Sequence, residues 1–211
     1  MKAEGSKTYF PAGAAPVLDG CALPLFPLGL WLFPGVTLPL QIFEPRYLGM
    51  ISECLKKGAG FGVVPIREGG EVGEIPAIYP VGVEVDVVDW YQQSNGLLGI
   101  KVSGRQRFQV LNTEIKQRRL LHGEVEYLPV AEDEPLIDRH SGLTQLLVEL
   151  KQHPHAEALE LSEPQTRDQL SYQLAQLLPF DGAEKMALLL APDAEERLTM
   201  IAKKVFELAN V

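Results

Sequence analysis

Few residues of this chain stand at spacings that chemistry requires. His153 and His155 flank Pro154, but no cysteine or carboxylate stands at ligand distance along the chain. The pair therefore reads as solvated imidazoles rather than half of a zinc site. His122 and His140 have no evident partner in the sequence. There is no G-x-S-x-G elbow and no H-E-x-x-H, so the common hydrolase arrangements are missing. "GAGFG", Gly58–Gly62, follows a helical pattern and precedes a strand pattern, the reverse of a dinucleotide-binding turn, and reads as a simple turn. Two cysteines, Cys21 and Cys54, form no ladder and no C-x-x-C. They are expected to be reduced thiols, which fits a cytoplasmic location. No catalytic residue, metal or cofactor is expected, and the chain reads as a non-enzyme.

Two polar constellations remain. Glu44 and Arg46 bracket Pro45. They can form a binding-site ion pair, or Glu44 can favour a helix N-terminus while Arg46 ties that helix to a strand. The structural reading is preferred. Arg105, Arg107, Lys116, Arg118 and Arg119 form the one basic cluster. If Arg105 and Arg107 both point outward from one strand, they could meet phosphates. The alternative is a solvated strand face or a partner for acidic helices. The net charge of −9 disfavours nucleic acid as a partner. The acidic excess lies almost wholly after residue 130.

The elements that must position these residues begin with "LPLFPLGLWLFPGVTLPLQIFEPRYL", Leu23–Leu48. From Gly20 to Phe43 no side chain is charged, and about 20 apolar residues can span a membrane. Pro24, Pro27, Pro34 and Pro39 exclude a spanning helix, since each costs about 3 kcal/mol inside one. The stretch is predicted to be strands near Leu23–Phe26 and Thr37–Phe43 around a loop, "PLGLWLFPG". That loop carries Leu30, Trp31 and Phe33, where connections are usually polar. Either it folds back onto a barrel end or some of these side chains form an exposed interaction patch. Trp90 and Tyr91 are further aromatic candidates.

"EPRYLGMISECLKKG" has helical spacing, with Pro45 suited to the first turn and Gly58 to the stop. "FGVVPI" reads as a strand. From Val81 to Val87 valines recur every second residue, the pattern of a half-buried strand. "SNG", Ser94–Gly96, signals a hairpin, and "LLGIKVSG", "RQRFQVLN" and "LLHGEVEYLP" are predicted to be further strands. After Pro129 come four amphipathic helical patterns. Ser162 with Gln165, Asp181 with Glu184 and Asp193 with Glu196 have capping-box spacing. Helices of this kind need packing partners. The expected fold is α+β, a small antiparallel β-barrel with one inserted helix followed by a helical subdomain. Residues 1–20 read as a flexible leader, 21–129 as the barrel and 130–211 as the helical part packed on it. "VLDGC", Val17–Cys21, only faintly resembles a lipoprotein site, since Asp19 and the lack of an apolar run argue against one.

Several of these segments together resemble the N-terminal, substrate-binding domain of Lon proteases. The pattern stands here as Leu23–Leu25, Phe33–Gly35, Leu38–Leu40 and the five residues Phe43, Glu44, Pro45, Arg46 and Tyr47. "VGVEVDVVDW", "GRQRFQVL" and the run from "LAQLLPFDGAEKMALLL" to "KKV" fit its later parts, so the likeness covers about residues 21–208. It implies a PUA-like pseudo-barrel followed by helices. The Lon ATPase would need a G-x-x-x-x-G-K-[ST] loop, which this chain lacks, and the family's catalytic Ser and Lys lie in another domain. Peptidase activity is therefore not carried over. The expected function is a non-catalytic module that binds unfolded or partner protein segments through Leu30, Trp31, Phe33, Trp90 and Tyr91. The alternative is RNA binding through the Arg105–Arg119 cluster.

Overall fold

A computed structural model describes residues 21–210, so the expectations for residues 1–20 lie outside the described residues. The apolar opening becomes sheet. Strand β1, Cys21–Leu28, contains both Pro24 and Pro27. Its first half pairs with β7, Leu121–Tyr127, and its second half with β3, Phe61–Glu68. Among the described residues each half therefore has an unpaired side, where a strand tolerates a missing N–H. The β1–β3 pairing is parallel. It closes a ring with β5, Val81–Gln92, and β6, Leu98–Ile115, whose other pairings are antiparallel. Two strands lie off the ring. Strand β2, Thr37–Ile42, pairs with the first half of β6, and the short β4, Ala77–Ile78, pairs with β3.

Side chains from β1, β3, β6 and β7 converge inside the ring, where Leu23, Leu25, Val64, Phe108, Val110, Leu121 and Val125 form one buried cluster. Two glycines make room for the Phe108 ring. A Cβ on Gly62 would lie 2.7 Å from Phe108 Cζ, and one on Gly82 would lie 2.6 Å from it. The larger core lies on the outer face, where Val81, Val83, Val85, Ile100 and Val102 meet the loop after β1 and the helices. The valine periodicity therefore marks the covered outside of the barrel rather than its lumen.

The sequence suggested two strands between residues 97 and 112; they are one strand of 18 residues with a register shift against each neighbour, at Leu111 against β7 and at Arg105–Gln106 against β5. Val85 pairs with Gly104 but Val83 pairs with Arg107, so β6 carries an extra residue at Arg105–Gln106. The bulge reverses the alternation and sends Arg105 and Arg107 to opposite faces. A further bulge lies at Val88 on β5, between the Val87–Val102 and Asp89–Lys101 pairs.

Helix α1, Pro45–Lys57, begins at Pro45 and ends on Gly58 at φ 62°, a left-handed cap that glycine adopts without a Cβ penalty. The remaining helices are α2, Ser141–Lys151; the single-turn α3, Pro154–Glu157; α4, Arg167–Leu177; α5, Gly182–Leu190; and α6, Ala194–Ala209. Asp181 and Glu184 form a full capping box, and Asp193 Oδ1 accepts from Glu196 N at 2.9 Å. The box expected at Ser162 and Gln165 is absent. The cap of α4 is Thr166, which accepts from Gln169 N, while Gln165 N donates to Gln169 Oε1. An isolated bridge between Pro135 and Thr166 holds the chain extended up to that point. Among the described residues no helix is long and apolar enough to cross a membrane.

Candidate protein-binding groove

Among the described residues, strand β2 pairs with β6 on one side only, and no strand pairs with its other edge. Along it runs a groove of about 280 Å³ between β2 and the end of β1. Leu30, Pro39, Gln41, Phe43 and Tyr47 line it, with Glu71 at one side. Pro39 suits an edge strand because it has no N–H to give the ladder. Phe43 is 49% exposed although it opens the most diagnostic segment of the sequence. Tyr47 is its buried counterpart, with its ring 4.4 Å from that of Phe26, which fixes the groove floor. At the rim, Gly29 N donates to Glu71 Oε1 at 2.7 Å and pins the start of the loop.

The structure separates the apolar candidates. Trp31 is 9% exposed and Phe33 fully buried, so neither belongs to a surface patch. The loop folds back onto the sheet and helices. Trp31 packs on Tyr79 at 4.8 Å, Gln176 Nε2 donates to the Trp31 carbonyl at 2.9 Å, and Phe33 faces Tyr172. Leu30, at the loop's outer end, stays exposed. Trp90 and Tyr91 are both exposed but lie on opposite sheet faces, because Trp90 pairs with Ile100 and Tyr91 with Gly99. Tyr91 lies across Gly99, which would place a Cβ 2.5 Å from its ring. Gly99 pairs in turn with Gln41, so Tyr91, Gly99 and Gln41 form one row leading to the groove. Trp90, 64% exposed, stands on the core face past the end of the core. Phe43, read from sequence as a structural residue, is the groove residue missed. Its position at the end of an alternating "TLPLQIF" strand, out of phase with buried Ile42, was the available signal.

The basic cluster does not form one face. Arg107 is buried, and its guanidinium donates to the carbonyls of Leu189, Ala191 and Pro129. The condition of the RNA alternative, that Arg107 points outward with Arg105, is therefore not met, and the bulge is the reason. Arg105 pairs with Asp86, Arg119 with Glu74 and Lys116 with Glu114. Arg105, Lys116 and Arg118 line a cleft of about 990 Å³ between α1 and the β6–β7 turn. Arg118 and Arg119 both sit at φ 60° there. Arg46 is buried, pairs with Glu44 at 2.9 Å, stacks on Tyr47 and reaches the Arg119 carbonyl at 3.5 Å. The helix is thus tied to the β6–β7 turn.

Burial pushes the Cys54 thiol up, against the pull of Lys57, so it is not activated as a thiolate. Burial also raises Tyr47 and lowers His122 and His140. The His155 side chain lies outside the described residues. Among those described, no group of three His, Cys, Asp or Glu side chains is placed to hold a metal ion.

Comparison with known proteins places this geometry. Residues 22–205 match the model of the ATP-dependent protease La (LON) substrate-binding domain. The chain is 28% identical to a Lon protease of Parabacteroides distasonis over 91% of its own length, covering 25% of that protein. It is 31% identical to protein cereblon of Gallus gallus over 53% of its length, again covering 25% of the relative. The chain thus spans about a quarter of the length of these curated relatives. Its fold is similar to the crystal structure of a Lon N-terminal domain protein from Xanthomonas campestris, with a TM-score of 0.68 and 29% identity over 87% of this chain and 98% of that one. The N-terminal domain of a Mycobacterium avium complex Lon protease, at TM-score 0.60 and 18% identity over 87% of this chain and 97% of that one, shares the fold.

Proposed function

Because this chain belongs to the family of Lon substrate-binding domains, we propose that it is a non-catalytic module that holds segments of other polypeptides. The observation that carries this reading is the exposed groove along the free edge of β2. An extended segment laid there gains main-chain hydrogen bonds from an unpaired edge, and alternate side chains enter the groove. Leu30, Phe43 and Tyr91 supply contact area. Aromatic anchors do so at low conformational cost. Trp31 and Phe33 serve from beneath by holding the loop that carries Leu30. Binding is reversible burial, with no bond made or broken. Two free thiols, Cys21 and Cys54, fit action in the reducing cytoplasm.

RNA binding has less support. Arg107 is unavailable, and three of the other four basic candidates already face carboxylates. The test is fluorescence anisotropy with a labelled, reduced and carboxymethylated polypeptide. Leu30→Asp and Phe43→Asp are expected to weaken binding at least tenfold while circular dichroism stays unchanged. Equal binding by both variants would overturn the assignment to this groove.

A further inference from the structure

A third and smaller cavity lies where the outer face of β6 meets the helices. It has a volume of about 80 Å³ and is lined among others by Arg105, Arg107, Ala131, Asp168, Tyr172 and Arg197. That is several times the roughly 10–15 Å³ one water occupies. Arg197 is 1% exposed. Its Nε donates to Ser171 Oγ at 2.9 Å, its Nη2 pairs with Asp168, and its Cζ lies 4.2 Å from the Tyr172 ring centroid. Its Nη1 has no acceptor among the described residues. A buried donor in that state is costly, and a charged one more so.

The charge around the cavity is mixed, with Arg107 and Arg197 set against Asp168 in the lining and with Asp133 and Asp193 within electrostatic reach. Arg107 makes three hydrogen bonds to backbone carbonyls, which do not neutralise its charge. Asp168 is the one carboxylate in the lining, set against the guanidinium groups of Arg107 and Arg197, while that of Arg105 turns to Asp86 on the other sheet face. Burial raises the Asp168 carboxyl against the pull of Arg197. Burial also disfavours the charged form of Arg197, and Arg107 adds repulsion.

We infer that this cavity is a binding site for one small oxyanion, a carboxylate or phosphate group, which accepts from the unpartnered Arg197 Nη1 beside Arg107. A guanidinium N–H edge suits such a group in geometry and charge. The site is separate from the groove along β2 and shares no lining residue with it. Its ligand can be a free anion or a carboxylate carried by a polypeptide.

The test is isothermal titration of the full chain with sodium acetate and, separately, sodium phosphate at constant ionic strength. Saturable binding of one anion per chain is expected. Ala131→Leu fills the cavity without touching a charge, and Arg197→Lys keeps the charge but removes the free Nη1. Each is expected to weaken binding at least tenfold. A short peptide with a free C-terminal carboxylate and its amide separate the sources. Tighter binding of the acid than of acetate assigns a polypeptide group, and equal binding assigns a free anion. Absence of saturable binding by either anion, or unchanged binding in Ala131→Leu, would overturn the proposal.

Discussion

Arg107 on β6 donates through Nη1 to the carbonyl oxygen of Ala191, 2.5 Å away, and so fastens the barrel to the segment between α5 and α6. The same nitrogen reaches Leu189 O at 2.7 Å, and Nη2 reaches Pro129 O at 3.0 Å. One guanidinium thus ties β6 to two further stretches of chain, the end of α5 and the segment after β7.

Arg107→Ala leaves those carbonyls without this donor. Buried acceptors left unpaired cost roughly 1–3 kcal/mol each, and partial relaxation brings the expected total to about 3 kcal/mol. For a chain of this size that lowers the melting temperature by roughly 6–12 °C. Arg107→Lys keeps a charge but loses the planar fork, so it should fall between the two. Differential scanning calorimetry checks the order. Equal melting temperatures for all three proteins would show that the fastening is dispensable.

This residue also shows where the sequence stopped being legible. Elements with local signals were readable. The Val81–Val87 alternation, Pro45 and Gly58 at the ends of α1, and Asp181 with Glu184 each stand where local rules put them. The bulge at Arg105–Gln106 leaves no such mark, and it alone decides that Arg107 faces the helices. Alternation identifies two faces of a strand but not which is covered when both are. The groove was half legible. The apolar loop drew notice to Leu30, Trp31 and Phe33, but burial of the latter two depends on Tyr79 and Tyr172, which lie far along the chain. Phe43 reads as structural in the sequence because its neighbours Glu44–Tyr47 open a helix.

The lumen of the barrel gives a second prediction. A Cβ on Gly82 would lie 2.5 Å from the Val63 carbonyl oxygen and 2.6 Å from Phe108 Cζ. Backbone cannot yield as a flexible side-chain tip can, so Gly82→Ala should cost about 1–3 kcal/mol by overpacking. Gly142, in the first turn of α2, has open space where a Cβ would stand, with nothing within 4 Å. Gly142→Ala should gain about 0.5 kcal/mol through the lower entropy of its unfolded chain. Urea denaturation of the two variants should give midpoints on opposite sides of the parent. A stabilised Gly82→Ala would mean that the lumen is looser than these contacts imply.

The start of α4 supplies a third. Thr166 caps the helix by accepting from Gln169 N, whereas Ser162 does not cap it. Thr166→Ala is expected to cost about 1 kcal/mol, and Ser162→Ala to stay within about 0.5 kcal/mol of the parent. The same denaturation measurement decides. A larger loss at Ser162 than at Thr166 would move the helix start four residues earlier.

His140 leads to the last prediction, which concerns acid. Its ring is buried, and Nδ1 accepts from Ile137 N at 3.3 Å, a bond that requires Nδ1 to be unprotonated. Burial holds its pKa below the ordinary 6.5, and the nearby positive charges of Arg139 and Arg167 push it the same way. Burial, helped by Lys116, also lowers His122. In the unfolded chain both rings take up a proton near pH 6.5, while in the folded chain they resist until lower pH. The unfolded state therefore binds more protons in that interval, and stability falls as pH drops below about 6.5. Asp168 acts in the opposite sense nearer the carboxylate range, because its raised pKa favours proton uptake by the folded state. His140→Gln should be less stable than the parent at pH 8, because the ring's packing is lost, yet lose less on going from pH 6.5 to pH 5. Chemical denaturation at those three pH values gives the comparison. An identical acid loss in parent and variant would mean that His140 titrates normally and that its buried neutral form does not shape the response to acid.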